Sequence, residues 1–171
     1  MHAAEIPVLD VSKKDSRVLV RAELLIDAPP DKVYRALINF NNFSSWSQRF
    51  KYSAYLEPAA DGRPRARNDI EGCILFFCKT VVRTLTLTLQ PSDYIRADAD
   101  PELSDVVFGR EEWWISAGTV TGESVTRVVT KVIYEHEVEF DFWVPPVIGT
   151  WAIKRELKKD GLRVARIIED M

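Results

Sequence analysis

Phe142-Trp-Val-Pro-Pro-Val-Ile-Gly-Thr-Trp151, running on through Ala-Ile-Lys-Arg-Glu-Leu-Lys-Lys-Asp-Gly-Leu-Arg-Val-Ala-Arg-Ile-Ile168, is the stretch whose reading decides the fold. Pro145 and Pro146 end the strand before them and suit the first turn of a helix, where a missing N–H costs nothing. Beyond them Ile153, Leu157, Gly161, Val164 and Ile168 fall on one stripe at helical spacing, and Lys154, Arg155, Lys158, Lys159, Arg163 and Arg166 fall largely off it. The spacing predicts one amphipathic helix over 147–168, roughly 35–40 Å long. What precedes it reads mostly as strands. One helix cannot bury its stripe alone, so it must lie on a sheet. Function then turns on whether the space between helix and sheet is filled or hollow.

Upstream of that helix the patterns are short and alternating. Residues 1–16 are polar and irregular and are expected to form a lead-in to a single domain over 17–171. Val18, Val20, Ala22, Leu24 and Ile26 alternate with Arg21 and Glu23, which predicts a half-buried strand. Asp27-Ala-Pro-Pro-Asp31 stops it and opens a helix with the stripe Val33, Ala36, Leu37 and Phe40. Asn39 to Trp46 then makes a turn or second short helix. Strands follow at 50–57, about 65–72, about 79–90, 94–98, 106–116 and 124–140, separated by short turns that imply antiparallel pairing. The order is strand, two short helices, six strands and one long helix.

Composition narrows the function classes. The chain has 171 residues, about one domain in length, with 46% hydrophobic and 29% charged residues, enough apolar material for a core. Its net charge is -3 with dispersed basic residues, which gives no support to a nucleic-acid role. No apolar run approaches the ~20 residues of a bilayer span, and the start Met-His-Ala-Ala-Glu lacks the basic and apolar regions of a secretory signal. His2 and His136 have no ligand spacing, so neither a metal nor a cofactor is expected.

The element order, with Ile26-Asp-Ala-Pro-Pro-Asp-Lys-Val-Tyr-Arg-Ala-Leu37 and the ending quoted above, resembles the START/Bet v 1-like superfamily over about residues 17–170, and within it most resembles the polyketide cyclase/coenzyme Q-binding branch. The resemblance implies an α+β helix-grip fold: a curved antiparallel sheet wraps the C-terminal helix, and two short helices after the first strand plug one end. It also implies a cavity that accepts lipids, quinones, isoprenoids, polyketides or other apolar ligands. It supplies no catalytic signature. On that basis Val20, Leu24, Leu85, Leu87, Trp113, Val128, Val132, Tyr134, Leu157 and Gly161 are expected to line the cavity, with Phe43, Trp46, Leu75, Phe76, Phe77 and Trp143 at its mouth. Gly161 fits either a close helix–sheet approach or room for ligand.

Three features bear chemistry. In Gly72-Cys-Ile-Leu-Phe-Phe-Cys78 a continuous strand would separate the cysteines by roughly 16 Å on opposite faces, too far for a bond. A turn inside 74–77 instead sets Cys73 and Cys78 opposite each other, where a disulfide is feasible; the alternative is two reduced thiols in a cytosolic protein. A bridge would indicate an oxidising compartment, and the resemblance leans the same way, because similar bacterial proteins with such a hairpin carry signal peptides. A trimmed signal would thus mean export to the periplasm, and otherwise the location is cytoplasmic. The apolar tip Ile74-Leu-Phe-Phe77 reads either as packed onto the core or as a lip making transient membrane contact.

Alternation over 107–115 places Val107, Glu111, Trp113 and Ile115 on one face and Phe108, Arg110, Glu112 and Trp114 on the other. Matching the superfamily's inward tryptophan to Trp113 turns Glu111 inward as a polar anchor; in the other register Arg110 and Glu112 take that place. The bland alternative is a rim charge paired with Arg127 or Lys131. Tyr134 and His136 complete the candidates for proton transfer. No nucleophile is paired with His136. The leading expectation is a monomeric, non-enzymatic binder or carrier of an apolar small molecule. An enzyme of the cyclase, aromatase or dehydratase type using Glu111, Tyr134 or His136 is the alternative, and a protein-interaction module is a further one.

Overall fold

The computed structural model describes residues 4–74, 77–121 and 126–171. Its order is β1 (Glu5–Lys14), β2 (Arg17–Ile26), α1 (Pro30–Leu37), a 3-10 turn at Phe40–Asn42, α2 (Phe43–Trp46), β3 (Phe50–Leu56), β4 (Arg65–Ile74), β5 (Phe77–Gln90), β6 (Tyr94–Ala99), β7 (Val106–Thr121), β8 (Thr126–Phe140) and α3 (Pro146–Asp170). The strands form one antiparallel sheet ordered β1-β2-β8-β7-β6-β5-β4-β3. One long connection, α1 to α2, carries the chain from β2 to the far edge at β3; every other pair of strands consecutive in sequence is adjacent in the sheet, and β2 lies beside β8. The architecture is the expected α+β helix-grip, with α3 held against the inner face of the sheet.

The stretch expected as an irregular lead-in is instead the edge strand β1, paired with β2 from Leu25 to Arg17. Its signal is weak for physical reasons. Pro7 cannot donate to a ladder and is tolerated because the strand is at the edge, in the segment where the register shifts between Glu5 and Val8. The turn to β2 uses Asp15 at φ 55° rather than the glycine that such a conformation usually signals.

α3 runs about 37 Å along β1 and β2. Lys13 Nζ donates to the Val144 carbonyl at 2.8 Å near its start, and the Asp27 N–H donates to Glu169 at 2.9 Å near its end. Midway, a Cβ on Gly161 would sit 3.1 Å from Ile6 Cδ1 and 3.7 Å from Leu24 Cδ2. Of the two readings of Gly161, the contacts are those of close approach. Packing between sheet and helices forms one cluster around Ile26, Val33, Trp46, Ile115, Val132 and Ile168, a second around Val18, Val20, Val106 and Val138, and a third around Phe40, Ala66, Leu85 and Leu87. Burying each such side chain stabilises the fold by about 1.5–3 kcal/mol.

Two placements differ from simple alternation. Val107 shares parity with Glu111 but is 56% exposed, because the ladder to β8 shifts between Val106 and Phe108 and Val106 takes the buried place. Val128, expected in the cavity, is 68% exposed. β2 ends at Ile26 opposite Thr130, and β6 pairs with β7 only as far as Trp114, so the β7–β8 hairpin runs past its neighbouring strands and carries Val128 with it.

Candidate functional site

The ladder decides which side chains look at α3. Val20 pairs with His136, His136 with Glu111, Glu111 with Ala97 and Ala97 with Leu87. In the next row Ala22, Tyr134, Trp113, Ile95 and Leu89 stand side by side. Val20, Ala22, Leu87, Ile95 and Ala97 are buried, so both rows face inward and bring Glu111, Trp113, Tyr134 and His136 together. Arg110 and Glu112 lie on the outer face, where they bond Asp98 (3.0 Å) and the Tyr94 hydroxyl.

Arg83 completes the group. It stands in the inward row of β5, Val81-Arg83-Leu85-Leu87, and is only 7% exposed. The β6 residues between β5 and β7 on that face are Ala97 and Ala99, small enough to let the guanidinium through. Its Nη1 forms a buried ion pair with Glu111. Of the two expected partners, Lys131 pairs instead with Glu23 at 2.9 Å, and the Arg127 side chain lies outside the described residues. Beside Arg83 in the ladder stands Asn68, buried and hydrogen-bonded to the Ser53 hydroxyl at 2.6 Å. A polar seam therefore crosses an otherwise apolar face.

Burial and charge set the protonation of the group. Burial pushes the Glu111 carboxyl up, but the Arg83 charge beside it, with His136, holds it below the usual carboxylate range. Burial lowers His136 from 6.5 to about 4 against the opposing pull of Glu111, so its imidazole is neutral at neutral pH. Burial, then the Glu111 charge, raises the Tyr134 hydroxyl well above 10. Charges in the cluster balance: one guanidinium and one carboxylate.

Two polar atoms are left over. Arg83 Nε and His136 Nε2 are buried and have no hydrogen-bond partner among the described residues; Glu111 Oε1 lies 3.5 Å from His136 Nε2. Unpaired buried polar atoms are rare in finished cores. The side chains around them are also not fully packed. Leu24, Trp113, Tyr134 and Leu157 point between sheet and helix, yet each is only half-buried, whereas Leu85, Leu87 and Val132 on the same face are closed off. Trp113 and Tyr134 rings stack with centroids 5.2 Å apart, and Tyr134 lies 6.1 Å from His136.

A surface cleft lies beside β3, β4 and α3. Its volume is about 290 Å³, and it is lined by Ser47, Arg49, Glu71, Cys73, Glu156 and Asp160, among others. Arg49 bridges it, pairing with Asp160 of α3 at 3.3 Å and donating to the Glu71 carbonyl at 3.2 Å. A second cleft, about 310 Å³, lies among charged pairs of the outer face such as Arg21–Glu135, with Val20 and His136 among its lining residues.

The expected mouth residues do not form one group. Phe43 and Trp46 pack with Phe40 and Phe50 and join the core beside Ala165 and Ile168. Trp143 is 75% exposed just before α3 begins. Leu75 and Phe76 lie outside the described residues, as do the side chains of Ile74 and Phe77. Cys73 and Cys78 pair across the β4–β5 hairpin and are joined by a disulfide. The sequence signal for Arg83 is its place among inward leucines and valines; Arg49, Asn68 and Asp160 gave no signal, since their roles arise only where distant segments meet.

No protein-family model and no curated protein matches the sequence. Solved structures do. A START superfamily protein from Mycobacterium smegmatis superposes with a TM-score of 0.67 at 17% identity, covering 89% of this chain and 97% of its own. A STAR-related lipid transfer protein from Xanthomonas axonopodis gives 0.60 at 14% identity, covering 94% and 98%. An aromatase/cyclase from Streptomyces gives 0.60 at 13% identity, covering 90% and 92%. Strand order, the gripped C-terminal helix and these superpositions agree that the chain has the START-like helix-grip fold.

Proposed function

We propose that this protein binds an apolar small molecule in the space between the sheet and α3, with the Arg83–Glu111–His136 group holding the ligand's one polar end. The observation that carries the reading is the pair of orphaned atoms, Arg83 Nε and His136 Nε2, beside inward side chains that are only half-buried. A ligand hydroxyl or carbonyl would satisfy the Arg83 N–H, while Leu24, Trp113 and Leu157 cover an apolar body at roughly 25 cal/mol per Å². Because Arg83 is already neutralised by Glu111, an uncharged oxygen suits the group better than an acid, which would bury an unbalanced negative charge. The named lipid transfer protein among the structural neighbours fits this reading.

The test is native mass spectrometry of the protein after exposure to a lipid extract, followed by Trp113 fluorescence titration with a long-chain alcohol and the matching acid. Uptake of a molecule of a few hundred daltons, with the alcohol bound at least tenfold more tightly than the acid, is expected. Protein that stays empty across the extract sinks the proposal.

An enzyme reading draws on the aromatase/cyclase neighbour and on His136 and Tyr134 in one space. Their protonation weighs against it: an imidazole lowered to about 4 is a weak base at neutral pH, and a phenol raised far above 10 is a weak acid. Turnover of a polyketide-type substrate abolished by His136→Asn would reverse this order.

A further inference from the structure

We infer that the outer face of α3, with the tryptophans at its start, is a docking surface for an anionic lipid bilayer. The helix has one face on the sheet, through Ile153, Leu157, Gly161, Val164 and Ile168. The opposite face is exposed and nearly all cationic: Lys154, Arg155, Lys158, Lys159, Arg163 and Arg166. The acidic residues of α3 do not offset it locally, because Glu156, Asp160 and Glu169 sit half-buried on its flanks and only Asp170, at the C-terminal end, is exposed. Six exposed cations on one ridge, in a protein of net charge -3, make a one-sided positive field.

The apolar part of the surface is equally particular. Trp143 is 75% and Trp151 57% exposed. Trp151 is on the same ridge as the cations, with the Arg155 guanidinium 5.6 Å from its ring centre, and Trp143 precedes the helix by three residues. Large exposed indoles cost solubility unless something covers them. An indole has an apolar body and an N–H, which suits the headgroup layer of a bilayer, where tryptophan concentrates. The cations supply attraction to anionic headgroups that falls off within a Debye length. Both features lie on the solvent side of α3, so the surface does not depend on the interior space being hollow, and this inference stands or falls apart from the proposed ligand.

The experiment is co-sedimentation of the intact protein with vesicles of phosphatidylcholine alone and with about one third phosphatidylglycerol. Expected is binding to the anionic vesicles at low salt, at least tenfold weaker at 0.5 M NaCl and on neutral vesicles, with a blue shift of tryptophan emission. The variant Lys154→Glu/Lys158→Glu/Lys159→Glu should lose at least tenfold in partitioning, and Trp143→Ala/Trp151→Ala should lose the blue shift, both with unchanged circular dichroism. Equal binding to neutral and anionic vesicles, no binding to either, or capture by DNA or an acidic protein in place of vesicles would overturn it.

Discussion

At the residue scale the site rests on Arg83 and Glu111, two charges that burial would forbid singly. Taking a charge out of water costs several kcal/mol unless a partner stands beside it. Glu111→Gln strands the guanidinium and Arg83→Met strands the carboxylate; each should cost about 3–5 kcal/mol in urea denaturation. The double variant Arg83→Met/Glu111→Leu should recover most of that stability while losing the polar end of the proposed ligand site. Additive losses in the double variant would show that the two side chains are not coupled. His136 adds a pH dependence. Its folded value, about 4, lies below the ordinary 6.5, so as pH falls the unfolded chain takes up the proton first. The stability contributed by neutral His136 is complete above about 6.5 and is lost as pH drops toward 4, on the order of 3 kcal/mol in all. Glu111, held low, acts in the same direction below its own range. His136→Asn should flatten the stability profile between pH 6.5 and 4; a profile identical to the parent would refute this role.

At the scale of elements, the β4–β5 hairpin stands out because Cys73 and Cys78 close it. A loop this short gains about 2 kcal/mol from its crosslink through the entropy of the unfolded chain. Replacing both by serine should lower the melting temperature by roughly 4–8 °C and leave the seam at Arg83 and Glu111 undisturbed, since the bond ties only neighbouring strands. A larger loss accompanied by changed Trp113 fluorescence would mean that the hairpin also braces the interior. Elements also show where sequence reading succeeds. α3, with its proline start and one apolar stripe, is legible because periodicity reports a long amphipathic helix directly. β1 is not, because an edge strand with Pro7 and a lone left-handed Asp15 carries little alternation and no glycine turn.

At the scale of the whole molecule the sheet curls round α3, and the proposed ligand lies between the two. A ligand held there binds the folded chain alone, so on the proposed function it should raise stability by about 2.7 kcal/mol at a hundredfold excess over Kd. That corresponds to a rise of roughly 5–10 °C in melting temperature. A long-chain alcohol that binds in the fluorescence titration but leaves the melting temperature unmoved would place its site outside the fold's interior.

What the sequence by itself determined is the list of elements from β2 onward, the helix-grip architecture, and that Glu111 shares a face with Trp113 and His136 with Tyr134. These follow from local periodicity, from proline and from the likeness of the element order to known folds. That this face is the inward one came from the ladder. Only the tertiary structure decided that Glu111 meets Arg83 while Lys131 meets Glu23, that Arg49 spans from β4 to Asp160, that Val128 is exposed and that Phe43 and Trp46 pack away from Trp143. Each of those depends on which strands are neighbours and where each strand stops. Side-chain alternation gives a residue's face, but its partner lies on another strand, set by ladder register between segments tens of residues apart.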